Sequence, residues 1–310
     1  MSPLSFEDYL SAQRFSPHTV NQYRRYAACF TDWMDGQSLV VEQVGHSETL
    51  DYADQLRKEG RSINQVNKML IAVRYYFAWL IGQGKAAHNP ASGLRLKGTV
   101  RSVPHGLLEK AELEKLYESY GVNDERTHRN KVMLGLMVYQ GITSEGLHDL
   151  RAEHLKLREG KILIPATGTL NARMLRLESH QVLDLQEYVL AIRPKILADR
   201  SKERPGRKPE AMKEADAIRQ LFISMNGSEN IKNGLYHLGR ALKKIEPKYR
   251  DPDQIRQSVI TNWLKEKNLR VVQYMAGHRY VSSTERYKTT NLEDLKEALN
   301  KFHPMNKKGG

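Results

Sequence analysis

The 310 residues contain a single cysteine, Cys29, so no internal disulfide can form. With Tyr26, Phe30 and Trp33 around it, Cys29 reads as a buried small hydrophobe rather than a reactive thiol. No run of 18 apolar residues occurs, which excludes a membrane-spanning helix. The opening stretch, MSPLSFEDYLSAQ, has acidic residues and no basic n-region, so it is not a secretory signal and a cytoplasmic protein is expected. Several chemistry-bearing motifs are also missing: H-E-x-x-H, C-x-x-C, the Walker A loop and G-x-G-x-x-G. The acidic residues are scattered without a two-metal cluster, so neither a metal nor a small-molecule cofactor is expected. There is no internal repeat and no low-complexity segment.

Positive charge is abundant. Lys and Arg number 49 against 36 Asp and Glu, for a net charge of +13 and a pI near 9.6. It is unevenly spread: residues 1–100 hold 11 basic and 9 acidic side chains, and residues 101–310 hold 38 and 27. Such a balance points to a polyanion partner, nucleic acid first.

Hydrophobic periodicity divides the chain. Residues 4–13 form a short amphipathic helix. Ser16-Pro17 caps a longer one, with Val20, Tyr23, Ala27, Phe30 and Met34 on one face and Gly36 at its end. A third helix runs from 47 to 58. Ser62 caps a fourth, striped by Ile63, Val66, Leu70, Val73, Phe77 and Leu80. The basic, aperiodic stretch 95–105, RLKGTVRSVPH, reads as a linker between domains 1–94 and 106–304. Beyond it, helices are expected at 108–120, at 131–141 and, in short form, after Thr143. KILIPA (161–166) and RMLRL (173–177) are strand-like and joined by a hairpin loop. Then follow a helix over 180–196, an exposed charged loop over 199–215 and a small strand at 220–225. Helices at 232–245, 252–266, 269–276, 283–288 and 291–300 complete the chain. Leu292, Leu295 and Leu299 give the last one an apolar face, and 305–310 reads as a disordered tail. The class is mainly α with one small sheet.

The chemistry gathers near the C-terminus. Gly277-His278 closes the apolar helix LRVVQYMAGH; Tyr287 lies nine residues beyond, and Arg256 lies 22 residues before His278. An arginine offers a planar fork of donors to a phosphate, a histidine offers a further donor, and a tyrosine hydroxyl can attack phosphorus.

This order and spacing resemble the C-terminal half of tyrosine recombinases, the phage-integrase family. LRVVQYMAGH resembles the family's helix before its catalytic His or Trp, and STERY resembles the segment carrying its nucleophile. SPHTVNQYRRYAACFTDWM and INQVNKMLIAVRYYFAWLIGQGKAAHNPA are similar to the two long helices and exit loop of its SAM-like core-binding domain. The resemblance implies an N-terminal four-helix SAM-like domain that clamps DNA, followed by a mostly helical catalytic domain with a small β-sheet. It implies site-specific cutting and rejoining of double-stranded DNA, as in mobile genetic elements, by a tetramer on two sites. Tyr287 would form a 3′-phosphotyrosyl link, while Arg256 and His278 neutralise the phosphate. Arg24, Arg25, Lys68, Arg74 and the linker's Arg101 are the candidate DNA contacts. The C-terminal helix would dock on a neighbouring protomer or on its own domain.

Three positions depart from the family pattern. Thr143 stands where its first catalytic Arg belongs, Gly168 is the nearest position to its hairpin Lys, and Asp253 replaces the first His of H-x-x-R. Each lost transition-state donor costs on the order of 100- to 1,000-fold in rate. Arg173 and Arg176, separated by two residues on the second hairpin strand, are read as facing one side of the sheet, where either could supply the missing charge. Lys161 and Arg151 are further candidates. The competing reading is a catalytically degenerate relative that binds DNA as an architectural protein. A type IB topoisomerase shares the chemistry, but the short chain and the four-helix front domain argue against it.

Overall fold

The computed structural model describes residues 4–98, 104–200 and 219–288, with the backbone alone at 199 and 200. The chain divides into two compact units, 1–101 and 102–310. Arg101, the helix expected over 291–300 and the tail 305–310 lie outside the described residues.

The first unit has four helices, each begun by a side-chain cap or a helix-start residue. Ser5 opens α1 (Phe6–Ala12), Ser16 opens α2 (Pro17–Gly36) and Ser62 opens α4 (Ile63–Gly82), each hydroxyl accepting from a first-turn N–H. At α3 (His46–Lys58) the Glu48 carboxylate instead accepts the Gly45 N–H at 2.8 Å. Their apolar stripes meet in one core, in which the Phe30 ring packs edge-on against Tyr52 at 5.0 Å. Cys29 is exposed, contrary to expectation. Ala27, Phe30 and Met34 take the inward face of α2, which leaves Cys29 on the outer one.

The second unit is built around α6 (Glu125–Gln140), buried along most of its length and flanked by α5 (Lys110–Glu118) and α7 (Ser144–Asp149). The helix begins six residues earlier than its apolar run suggested, because polar side chains line its buried start. Arg129, 1% exposed, is satisfied by the Ile223 carbonyl at 2.8 Å and the Asn130 amide oxygen at 2.9 Å. The antiparallel sheet has three strands in the order β1 (Leu155–Lys156), β2 (Lys161–Ile164), β3 (Arg173–Arg176), with Lys161 opposite Arg176 and Ile164 opposite Arg173. Ile162, Ile164 and Leu175 join the main core.

The helix expected over 180–196 is interrupted. It runs as α8 (Ser179–Glu187), a π-helical turn (Tyr188–Ile192) and α9 (Arg193–Arg200). Pro194 has no N–H for the Leu190 carbonyl, and the ladder widens there, with the Arg193 N–H reaching Tyr188. Residues 220–225 are not a strand. Arg193, Tyr188 and Arg129 take the carbonyls of Gln220, Leu221 and Ile223, leaving one isolated bridge from Gln220 to Arg151. The unit continues through α10 (Lys232–Ile245), α11 (Pro252–Glu266), α12 (Leu269–Ala276) and α13 (281–288).

Gly141 ends α6 at φ +58°, and a Cβ there would lie 3.3 Å from Val259 on α11. Gly141→Ala is expected to destabilise the protein by about 1–2 kcal/mol, read as a lowered urea midpoint.

Candidate active site

α12 ends in a left-handed glycine, and the backbone groups at that end can be followed one by one. The N–H of His278 bonds the Gln273 carbonyl at 3.0 Å, and the N–H of Gly277 bonds the Tyr274 carbonyl at 2.9 Å. This is a Schellman closure, and it needs the φ of +71° that Gly277 adopts. Two carbonyls remain in the last turn. Arg173 Nε donates to Met275 O at 2.9 Å, and Arg256 Nη2 donates to Ala276 O at 2.7 Å. The Gly277 carbonyl accepts from Asn171 N at 2.8 Å, which ties the hairpin loop to the turn. A Cβ on Gly277 would stand 2.6 Å from Arg173 Nη1 and 3.0 Å from the Asn171 carbonyl, so a side chain there would displace the arginine and crowd the hairpin backbone.

Arg256 also donates from Nη1 to the Gly141 carbonyl at 2.5 Å, so one guanidinium joins the C-terminal ends of α6 and α12. Those ends carry the negative pole of each helix dipole. Arg173 is 2% exposed and Arg256 7%. All their hydrogen-bond partners are carbonyls or the His278 imidazole, with no carboxylate among them. Burial, then the charge of Arg256, lowers the Arg173 pKa to about 10. Burial lowers that of Arg256 as well.

His278 follows directly from the glycine turn. Its Nε2 lies 3.5 Å from Arg256 Nη2, and its Nδ1 lies 2.9 Å from the hydroxyl of Thr284, which is fully buried. A guanidinium only donates, so Nε2 is the acceptor here and Nδ1 carries the proton. Burial first, then Arg256, Arg286 and Arg173, lowers the pKa of His278 to about 4, and the ring is neutral at pH 7. The Tyr287 ring stacks on the imidazole at 6.0 Å between centroids and 10° between planes, and it is 4% exposed. Arg256, His278 and Tyr287 are thus brought together as their spacing suggested, with Arg173 beside them.

The other candidates fall elsewhere. Arg176 is exposed, because three residues along a strand is an odd step and turns it to the face opposite Arg173. The expectation that both arginines face one side is wrong. Lys161 pairs with Glu159 at 3.2 Å and Arg151 with Glu153 at 3.6 Å. Thr143 caps α7 through the Gly146 N–H at 2.9 Å. Gly168 is exposed in the hairpin loop with nothing within 4 Å of a Cβ, and Asp253 is exposed in the first turn of α11, where the dipole favours a carboxylate. In the first unit, Arg24 pairs with Glu7, Arg25 and Lys68 are exposed, and Arg74 holds the carbonyls of Ala91 and Leu94. Thr284 as the imidazole's support and Arg286, whose Nη2 is 3.4 Å from Tyr287 Oη, were not singled out from sequence. Their only sequence signal is their place within the nucleophile-bearing segment.

Two family models match the chain: the phage integrase N-terminal SAM-like domain over residues 5–84 and the phage integrase family over 107–293. Tyrosine recombinase XerC of Oceanobacillus iheyensis is 25% identical over 308 residues, covering 97% of this chain and 95% of that protein. Tyrosine recombinase XerD of Listeria innocua is 25% identical over 295 residues, covering 93% of each. Among solved structures, the XerH site-specific recombinase bound to palindromic difH substrate matches at TM-score 0.70 and 19% identity, over 94% of this chain and 82% of that one.

The imidazole sets a pH dependence. The unfolded His278 titrates near 6.5 and the folded one near 4, so between these values the unfolded chain binds more protons. The stability held by the neutral ring is complete above pH 6.5 and is lost as pH falls toward 4. Replacing His278 by Gln is expected to flatten this acid limb, measured as a smaller fall in urea midpoint between pH 7.5 and 4.5 than in the parent.

Proposed function

Because the chain belongs to the phage integrase family, we propose that it cuts and rejoins double-stranded DNA with Tyr287 as the nucleophile. One observation carries the reading: two nearly buried guanidiniums, Arg173 and Arg256, converge beside an imidazole and a tyrosine, and among the described residues no carboxylate hydrogen-bonds to either, the exposed Asp253 favouring the charge of Arg256 only from a distance. A buried cation without a counter-charge is stabilised by an arriving anion. A phosphodiester supplies that anion, and Tyr287, stacked on the imidazole, supplies the attacking hydroxyl.

The scissile phosphate binds against Arg256 and His278 Nε2. Tyr287 Oη attacks phosphorus, the bond from phosphorus to the 5′-oxygen breaks, and the 3′-phosphotyrosyl link keeps the ester's energy for rejoining. His278 donates to the phosphate as a neutral imidazole, which requires its proton on Nε2. The Thr284 hydroxyl allows this, since it can donate to Nδ1 as readily as it accepts from it. Arg173 supplies the second cation that neither Thr143 nor Gly168 provides, and the exposed Asp253 is accommodated by the start of α11. The N-terminal unit contributes Arg25 and Lys68 to the DNA backbone. Two cut duplexes held together for exchange call for four copies of the chain.

Mixed with nicked duplexes from the ends of its own genetic element, the protein is expected to form an adduct that survives a denaturing gel. Tyr287→Phe forms none while still binding DNA. Arg173→Ala slows adduct formation by about 100-fold or more, whereas Arg176→Ala leaves the rate close to the parent's. Tight DNA binding by the parent with no adduct would replace this reading with an architectural one.

A further inference from the structure

We propose that Arg286 is a further catalytic residue of this site, binding the phenol oxygen of Tyr287 and stabilising the phenolate as the tyrosine attacks phosphorus. The inference rests on Tyr287 being the nucleophile. Neighbouring residues of a helix point about 100° apart and do not normally face each other. On α13 the side chain of Arg286 nonetheless folds back along its neighbour. Its Cζ lies 5.3 Å from the centre of the Tyr287 ring, and its Nη2 donates to Tyr287 Oη at 3.4 Å.

A guanidinium donates hydrogen bonds and never accepts them, so it favours the oxygen as it becomes anionic over the oxygen as it donates. The charge of Arg286 also reaches the imidazole, where it is among those that keep His278 neutral. Arg256 and Arg173 each donate to carbonyls at the ends of α6 and α12 and in the hairpin loop, and Arg286 donates to the nucleophile's own oxygen.

In the step itself, the bond from Oη to phosphorus forms as the bond from phosphorus to the 5′-oxygen breaks. The phenol proton passes to solvent, and the leaving oxygen takes one up. Arg286 acts on the first half of this exchange, so its effect is independent of how well the leaving group departs.

The test is single-turnover cleavage by the parent, Arg286→Ala and Arg286→Lys, on a nicked duplex and on the same duplex with sulfur in place of the leaving 5′-oxygen. Arg286→Ala is expected to cleave about 100-fold more slowly with unchanged DNA affinity. The defect keeps its size on the sulfur substrate, whose leaving group needs no proton. Arg286→Lys recovers part of the rate. Cleavage by Arg286→Ala at the parent's rate would overturn the proposal, as would a defect that sulfur erases or that lost DNA affinity accounts for. A parent that forms no adduct on either duplex would overturn the Tyr287 reading as well.

Discussion

The C-terminal end of α12 is the constraint on which the second unit's chemistry depends. A helix end leaves carbonyls without partners, and leaving them buried and unpaired costs roughly 1–3 kcal/mol each. Here the glycine turn satisfies two, and arginine side chains from α11 and β3 satisfy the next two. A requirement of helix termination therefore fixes where two cations sit. Arg256 reaches on to the end of α6, so the same guanidinium sets the spacing of three helices. The turn that creates the demand also delivers His278, one residue past the glycine, to the edge of that guanidinium.

Function and stability pull in opposite directions at this point. Two buried positive charges near each other are unfavourable, and helix-end carbonyls offset them only in part. A carboxylate would relieve the strain but would occupy the place of a phosphate and repel it. Asp253 lies exposed in the first turn of α11 without a hydrogen bond to Arg256, so its charge favours that guanidinium only from a distance. Burial first, and then these charges, keep the imidazole neutral. Among the described residues, Arg173 and Arg256 are held by helix-end and loop carbonyls rather than by ion pairs.

The register of Arg256, His278 and Tyr287 was legible because it rests on local signals: a left-handed glycine after an apolar helix, and fixed steps to the neighbouring helices. The ends of α10, α11 and α12 were legible for the same reason. Features decided by tertiary contacts were not. The start of α6 was set too late because Arg129 and Asn130 are polar, yet both are buried, Arg129 against the distant Ile223 carbonyl and Asn130 against Tyr120. Residues 220–225 looked like a strand because Leu221, Phe222 and Ile223 are apolar, but side chains from three helical segments occupy their carbonyls. Arg176 was misplaced by strand parity, an error that the period of two could have prevented. Thr284 and Arg286 carry no signature, because their roles exist only once α13 lies against α12.

The departures from the family pattern acquire a physical sense when the site is viewed as a set of donors rather than of positions. Thr143 has become a helix cap, a task that a long cation would perform poorly. Gly168 leaves the hairpin loop without a cation at its tip, but the same hairpin delivers Arg173 at its base, held by the turn itself. A cation on the nucleophile's own helix adds a property that a hairpin donor lacks. On the proposed mechanism Arg286, carried by the same helix as Tyr287, would stay beside the phenol. Arg173 and Arg256, by contrast, are fixed to the frame. On the proposed mechanism the phosphate would be held by groups fixed to the frame while the attacking oxygen keeps a partner on its own helix, a division of labour that positions on a sequence pattern do not express.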